Sequence, residues 1–249
     1  MSAAPALLVL SGVSKSFGGV QAVAELDMEV RQGEVLGLIG PNGAGKTTVF
    51  NLVSGIQQPT SGSIRLAGAE IAGLRPDQVC RRGIARTFQT ASFLPGMSVR
   101  ENVELAAAFR DPIKIRARRT RDVVADALAR TELADVADQP AELVNVSQQK
   151  RLEIARAIAT EPLLLMTDEI VAGLNPSETD DLLRILVGLN REGMTLVFVE
   201  HDVRAVLSVS QRLIVLAQGK LLAEGDPRTV ARSPDVIRVY LGSRYAGNQ

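Results

Sequence analysis

Residues 40–47 read GPNGAGKT, a glycine-rich run closed by lysine and threonine. The spacing G-x-x-x-x-G-K-[ST] is that of a loop that wraps phosphate. Gly40, Pro41, Asn42, Gly43, Ala44 and Gly45 form the cradle. The glycines let successive backbone N–H groups curl around phosphate oxygens, and the helix N-terminus behind them adds positive potential. Lys46 is placed to reach β- and γ-phosphates, Thr47 to put its hydroxyl on Mg²⁺, and Thr48 to reach the α-phosphate side. The preceding EVLGLI has strand character and the following TTVFNLVSG helical character, the setting that the motif requires.

A second candidate is Asp168-Glu169, directly after the apolar run LLLMT. A carboxylate at the C-terminal end of a parallel strand can hold Mg²⁺ beside bound phosphates, and its neighbour can polarise water as a general base. The plain alternative is an ordinary acidic exit from a strand; the upstream phosphate loop favours chemistry. His201 is the sole histidine and follows TLVFVE, so a multi-histidine metal site is excluded. A lone histidine is usually structural, but the end of a parallel strand is where ligands bind.

These groups need a scaffold. EVLGLI (34–39), PLLLMT (162–167), TLVFVE (195–200) and RLIVLA (212–217) are short, largely apolar runs. Such runs suit strands buried on both faces of a parallel sheet. Asn175-Pro176 with Glu178 predicts a capped helix running through DDLLRILVGLN to near Gly193, and Ser98 with Glu101 opens another. LLVLSGVSKSF and VAELDMEV alternate and read as antiparallel strands. Between 90 and 146 the signals are helical. The predicted class is α/β: a P-loop core with a mixed sheet, an N-terminal antiparallel β subdomain and an inserted helical lobe. The expected boundaries are 1–89 and 160–249 for the core and 90–159 for the lobe.

Bulk properties narrow the function. Lys+Arg and Asp+Glu are equal at 28 each, which argues against a strongly basic nucleic-acid surface. The one cysteine, Cys80, rules out an intrachain disulfide and is expected to be an ordinary thiol on a helix. No signal peptide is evident, and no apolar run approaches the roughly 18 residues of a membrane span. Arg110, Lys114, Arg116, Arg118, Arg119 and Arg121 form a basic cluster. It is read as a solvated face, with contact to a membrane subunit or lipid head groups as the alternative.

In this order, the motifs resemble those of ABC-transporter ATP-binding subunits over nearly the whole chain. Ser16-Phe17-Gly18-Gly19 resembles the segment whose aromatic stacks on adenine, which implies that role for Phe17. Arg86-Thr87-Phe88-Gln89 resembles the Q-loop, implying that Gln89 senses the γ-phosphate and Mg²⁺. LLLMTDE resembles Walker B, implying Asp168 as metal ligand and Glu169 as catalytic base. Ala172-Gly173-Leu174-Asn175 resembles the D-loop, and VEHD the switch around His201. Phe17-Gly18-Gly19, Arg86-Thr87-Phe88-Gln89, Gly173-Leu174-Asn175-Pro176 and the tail PDVIRVYLG resemble branched-chain amino acid importers; a similar tail occurs in lipopolysaccharide export.

Two departures stand out. Walker B has Thr167 and Ile170 where the family has an apolar residue and proline. The Leu-Ser-Gly-Gly-Gln signature falls on Val144-Asn145-Val146-Ser147-Gln148. In the family two such chains close head to tail, so Asn145, Ser147 and Gln148 would contact the neighbour's ATP. Asn145 still offers a donor; Ser147 adds a Cβ where glycine allows close approach, and is expected to N-cap the following helix. This points to a weakened contact and a heterodimer with unequal sites; the alternatives are a harmless variant whose hydroxyl and amide restore the contacts, and a homodimer. The resemblance implies ATP and Mg²⁺, transmembrane permease subunits, a second ATP-binding subunit, indirectly an extracytoplasmic substrate-binding protein, and a peripheral place on the cytoplasmic face of the membrane. The rival readings are the ATPase of another ABC system, such as lipopolysaccharide export, and a low-turnover nucleotide-gated binding module. A third rival, a soluble mechanoenzyme on DNA or ribosomes, lacks the coiled coil, tandem domain or basic surface that it needs.

Overall fold

The computed structural model describes residues 4–87 and 93–245, the segment 241–245 as backbone only. The chain forms two compact units, Met1–Pro76 with Thr195–Gln249, and Asp77–Met194.

The first unit opens with β1 (Ala6–Phe17), β2 (Val20–Arg31), β3 (Val35–Ile39), α1 (Lys46–Val53), β4 (Ser61–Leu66) and β5 (Ala69–Glu70). The second contains most of α2 (Pro76–Arg82), then β6 (Ile84–Arg86), α3 (Val99–Ala107), α4 (Pro112–Ala117), α5 (Thr120–Arg130), α6 (Val146–Ile158), β7 (Leu164–Asp168) and α7 (Pro176–Arg191). The chain then completes the first unit with β8 (Thr195–Val199), α8 (Val203–Val209), β9 (Arg212–Ala217), β10 (Lys220–Gly225), α9 (Pro227–Ala231) and α10 (Pro234–Tyr245).

In the first unit β2-β1-β4-β5 is an antiparallel sheet, and β10-β9-β3-β8 is mixed. β3 runs parallel to β8 and β9, with Leu38 beside Val199 and Ile39 beside Val215. Every residue of β3 and β8 is buried, as their unbroken apolar character requires. Helix α8 lies close over β3: a Cβ at Gly37 would come within 2.6 Å of the Val206 side chain. The antiparallel edge β10 was not anticipated. Its residues are exposed or half-exposed, so no apolar run marks it.

The second unit pairs β6 with β7 in parallel, Arg86 beside Met166. Its helices α3, α5 and α6 pack through Val99, Val103, Val124, Leu128, Leu152 and Ile154, all buried. The capping boxes at Ser98–Glu101 and Asn175–Glu178 both form, and Pro176 opens α7. The basic cluster is not one solvated face. Arg110 is fully buried and donates to Glu161 Oε2 at 3.1 Å, Thr120 Oγ1 at 2.9 Å and the Ala107 carbonyl at 2.9 Å. Lys114 donates to the Glu161 carbonyl. Arg116, Arg119 and Arg121 are exposed. A guanidinium with carbonyl, hydroxyl and carboxylate partners can be buried; six like charges side by side in water cannot explain that position.

Candidate nucleotide site

The 40–47 loop leaves the C-terminal end of β3 and enters α1. Its glycines are required by space as well as by backbone angle. A Cβ on Gly40 would lie 2.3 Å from the Leu216 carbonyl, and one on Gly45 2.7 Å from the Ala22 carbonyl. Gly43 and Gly45 hold φ of 77° and 103°. Backbone bonds tie the loop down: Gly219 N–H donates to Ala44 O at 3.0 Å, and Ala24 N–H donates to Gly219 O at 2.8 Å. Helix α1 starts at Gly45 with no capping side chain, unlike α3, α6 and α7. Its first turn therefore presents the positive end of the helix without an internal acceptor. Lys46 is buried and its ammonium donates to Gly40 O at 2.7 Å and Pro41 O at 3.2 Å. Thr47 and Thr48 follow on the first turn.

The first unit holds two more predicted residues. Phe17 ends β1 at the hairpin with Val20, is 46% exposed, and carries the Lys15 ammonium 5.1 Å from its ring centre. An exposed ring on a strand hairpin suits a stacking platform. His201 follows β8, so it sits at the same sheet edge as the loop that leaves β3. Asp202 caps α8, its carboxylate accepting from the Arg204 N–H at 2.9 Å. Tyr240 on α10 lies in the PDVIRVYLG tail, where the sequence shows a family likeness but no site role. Burial pushes its phenol up to about 12, opposed by a hydrogen bond from the Gly40 backbone. The C-terminal helix thus reaches the base of the phosphate loop. A hollow of about 930 Å³ lined by Arg31, Glu34, Arg212 and Glu224 lies at the other end of β3, and its Arg212 is held by Glu34 and Glu224.

The second unit holds the carboxylates. Asp168 ends β7, is 2% exposed, and accepts from Arg86 NH2 at 3.0 Å through Oδ2. Its backbone N–H donates to Thr87 Oγ1 at 3.3 Å. Burial lowers the Arg86 pKa, and the Asp168 charge opposes this. Glu169 has φ of 53°, a left-handed backbone that a non-glycine residue adopts only when its surroundings enforce it. Gln89 lies outside the described residues.

The altered signature is an intact helix start. Asn145, not Ser147, is the N-cap: its Oδ1 accepts from Gln148 N–H at 2.8 Å, and Gln148 Oε1 accepts from Asn145 N–H at 3.0 Å. Ser147 sits inside the first turn and is buried, with an ordinary helical backbone. Asn145 and Val146 are exposed. The reciprocal Asn–Gln box decides the cap; with Ser147 as cap the answering position would be Lys150, which cannot accept. Cys80 lies on α2, its thiol pushed up by burial.

The glycine-built loop, the uncapped helix behind it and the parallel strand ends define a P-loop nucleotide-binding cassette. The ABC transporter family model matches residues 23–172, and the chain belongs to that family of transport ATPases. A second model, the branched-chain amino acid ATP-binding cassette transporter, matches residues 220–246. The chain is 41% identical to the high-affinity branched-chain amino acid transport ATP-binding protein BraF of Pseudomonas aeruginosa, over 95% of this chain and 98% of that one. It is 32% identical to the lipopolysaccharide export system ATP-binding protein LptB of Escherichia coli, over 96% and 99%. A nucleotide-free ATP-binding cassette from an ABC transporter superposes with TM-score 0.86 at 27% identity, covering 95% and 99%. A dimeric bacterial ABC transporter cassette does so with TM-score 0.75 at 26% identity, covering 88% and 97%.

Proposed function

We propose that this chain is the ATP-hydrolysing subunit that energises an importer of branched-chain or related amino acids. The observation that carries this reading is the 41% identity to BraF over 95% of the chain. The glycine cradle and the buried Lys46 support nucleotide binding. The matching C-terminal segment, 220–246, supports the amino-acid class. The lower identity to LptB, 32%, ranks lipopolysaccharide export second.

In this reading the loop amides and Lys46 hold the phosphates of ATP, and Phe17 stacks on the adenine. When bound, Mg²⁺ would supply positive charge that neutralises charge developing on the phosphates. Thr47 offers a hydroxyl and Asp168 a carboxylate, hard oxygen donors suited to that ion. Glu169 orients the attacking water and accepts its proton; His201 and Gln89 contact the γ-phosphate. Residues 90–159 form the lobe that carries the signature to a second ATP-binding subunit, with unequal sites in a heterodimer. No helix among the described residues is long and apolar enough to cross a membrane; in this reading the chain acts on the membrane through permease subunits.

Reconstitution with its permeases, partner ATPase and extracytoplasmic binding protein tests the reading. ATP-driven uptake of radiolabelled leucine, isoleucine or valine is expected. ATP turnover without uptake of any of them would overturn the substrate; no turnover at all would overturn the ATPase.

A further inference from the structure

Arg86 takes no part in the reaction as set out above, yet the structure commits it to a residue that does. Its guanidinium lies 3.0 Å from Asp168 Oδ2, with side-chain exposures of 9% and 2%. The next residue, Thr87, is buried and accepts the Asp168 N–H. Consecutive residues at the end of β6 thus hold both the charge and the backbone of Asp168. A cation within hydrogen-bonding distance of a buried carboxylate occupies oxygen lone pairs that a metal would otherwise use. The neighbouring β7 residues Leu164, Leu165 and Met166 are buried and apolar.

We propose that Arg86 is a positioning residue that sets the cation affinity of Asp168: it holds Oδ2 at 3.0 Å and competes with Mg²⁺ for that oxygen. Binding of the ion then requires the guanidinium to yield or share that oxygen, so the end of β6 is coupled to occupancy of the metal site. The inference rests on the reading of Asp168 as an ion-holding carboxylate, and Asp168→Asn tests that reading separately by abolishing the divalent site.

The probe is Mn²⁺, measured by the EPR signal of the free ion, with the full chain saturated by a non-hydrolysable ATP analogue. Arg86→Gln removes the charge and keeps a hydrogen-bond donor. The charge-assisted bond to Oδ2 becomes a neutral one of about half the strength, so Mn²⁺ is expected to bind about tenfold tighter. Arg86→Lys keeps the charge and is expected to stay within about twofold of the unsubstituted chain. A purely structural Arg86 would lower thermal stability and leave Mn²⁺ affinity unchanged or weaker, and that result overturns the proposal. Where Arg86→Gln fails to fold, ¹⁵N-arginine NMR decides. In the unsubstituted chain holding the analogue, the Arg86 Nε signal, assigned by its loss in Arg86→Lys, must move when Mg²⁺ is added. A signal that Mg²⁺ leaves in place overturns the proposal equally.

Discussion

The Gly40 carbonyl accepts a hydrogen bond from the Lys46 ammonium at 2.7 Å, closing the phosphate loop on itself. The same glycine has no room for a Cβ, which would meet the Leu216 carbonyl at 2.3 Å. The obstacle is backbone in β9, which cannot rotate away. Gly40→Ala is therefore expected to cost about 1–3 kcal/mol, as overpacking does, and to lower Tm by roughly 2–12 °C. Calorimetry checks the stability and titration with fluorescent ATP the binding. Lys46→Ala removes the donor that closes the loop and is expected to lower turnover by about 10²–10³.

Glu169 follows a strand that ends in a buried ion pair, and its own backbone is left-handed. Glu169→Gln keeps the size and shape and removes the base. Turnover is expected to fall by about 10²–10⁴ while ATP affinity stays within a few-fold. In the assembled transporter, this change is compared with the equivalent one in the partner ATPase. The unequal-site reading expects different losses from the two; equal losses would sink it.

Much of this was legible in the residues. EVLGLI, LLLMT and TLVFV announce buried strands because both faces are covered, so no polar residue interrupts them. The boxes at Ser98 and Asn175 are local chemistry within four residues. Asn145 was legible too, since Gln148 answers it at the right distance, whereas Ser147 has Lys150 there, which cannot accept. Arg110 and Arg86 were not legible in that way. Their partners Glu161 and Asp168 lie 51 and 82 residues further along the chain, and no local pattern links them. Tyr240 escaped for the same reason, being set against Gly40 only by the fold.

Tyr240 offers a direct test of that long-range contact. Tyr240→Phe removes the hydroxyl and leaves the ring. One hydrogen bond is worth about 0.5–1.5 kcal/mol net, so ATP affinity is expected to weaken by a factor of about 2–12 if the contact orders the loop. The measurement is the KM and kcat for ATP together; a change in Tm with both constants unmoved would assign Tyr240 to packing alone.

Arg110 and Arg121 mark the buried and the exposed parts of the basic cluster. Arg110→Met leaves Glu161 without its buried partner, although Arg118 remains 3.4 Å away and Glu161 is one-quarter exposed. The cost is expected at about 1–3 kcal/mol, below the 3–5 typical of a fully buried pair. Arg121→Ala, at an exposed position, is expected within about 0.5 kcal/mol of the original. Urea denaturation of both variants checks the difference.

Asn145 joins two duties that substitution can divide. Its Oδ1 caps α6, which leaves the amide Nδ2 as the exposed donor of the signature. Asn145→Asp keeps the cap, because a carboxylate accepts from the Gln148 N–H equally well, so Tm is expected to change little. It also removes the donor and sets a negative charge where a phosphate must approach. Turnover at the nucleotide that this helix start serves is expected to fall by at least about 10². Asn145→Ser keeps both the cap and a hydroxyl donor, and should retain most of the activity. Asn145→Ala loses both and is expected to cost about 1 kcal/mol of stability as well. Steady-state ATPase assays on the assembled transporter, read beside the Tm of each variant, separate the donor from the cap. Equal turnover in the Asp and Ser variants would show that Asn145 serves the helix alone.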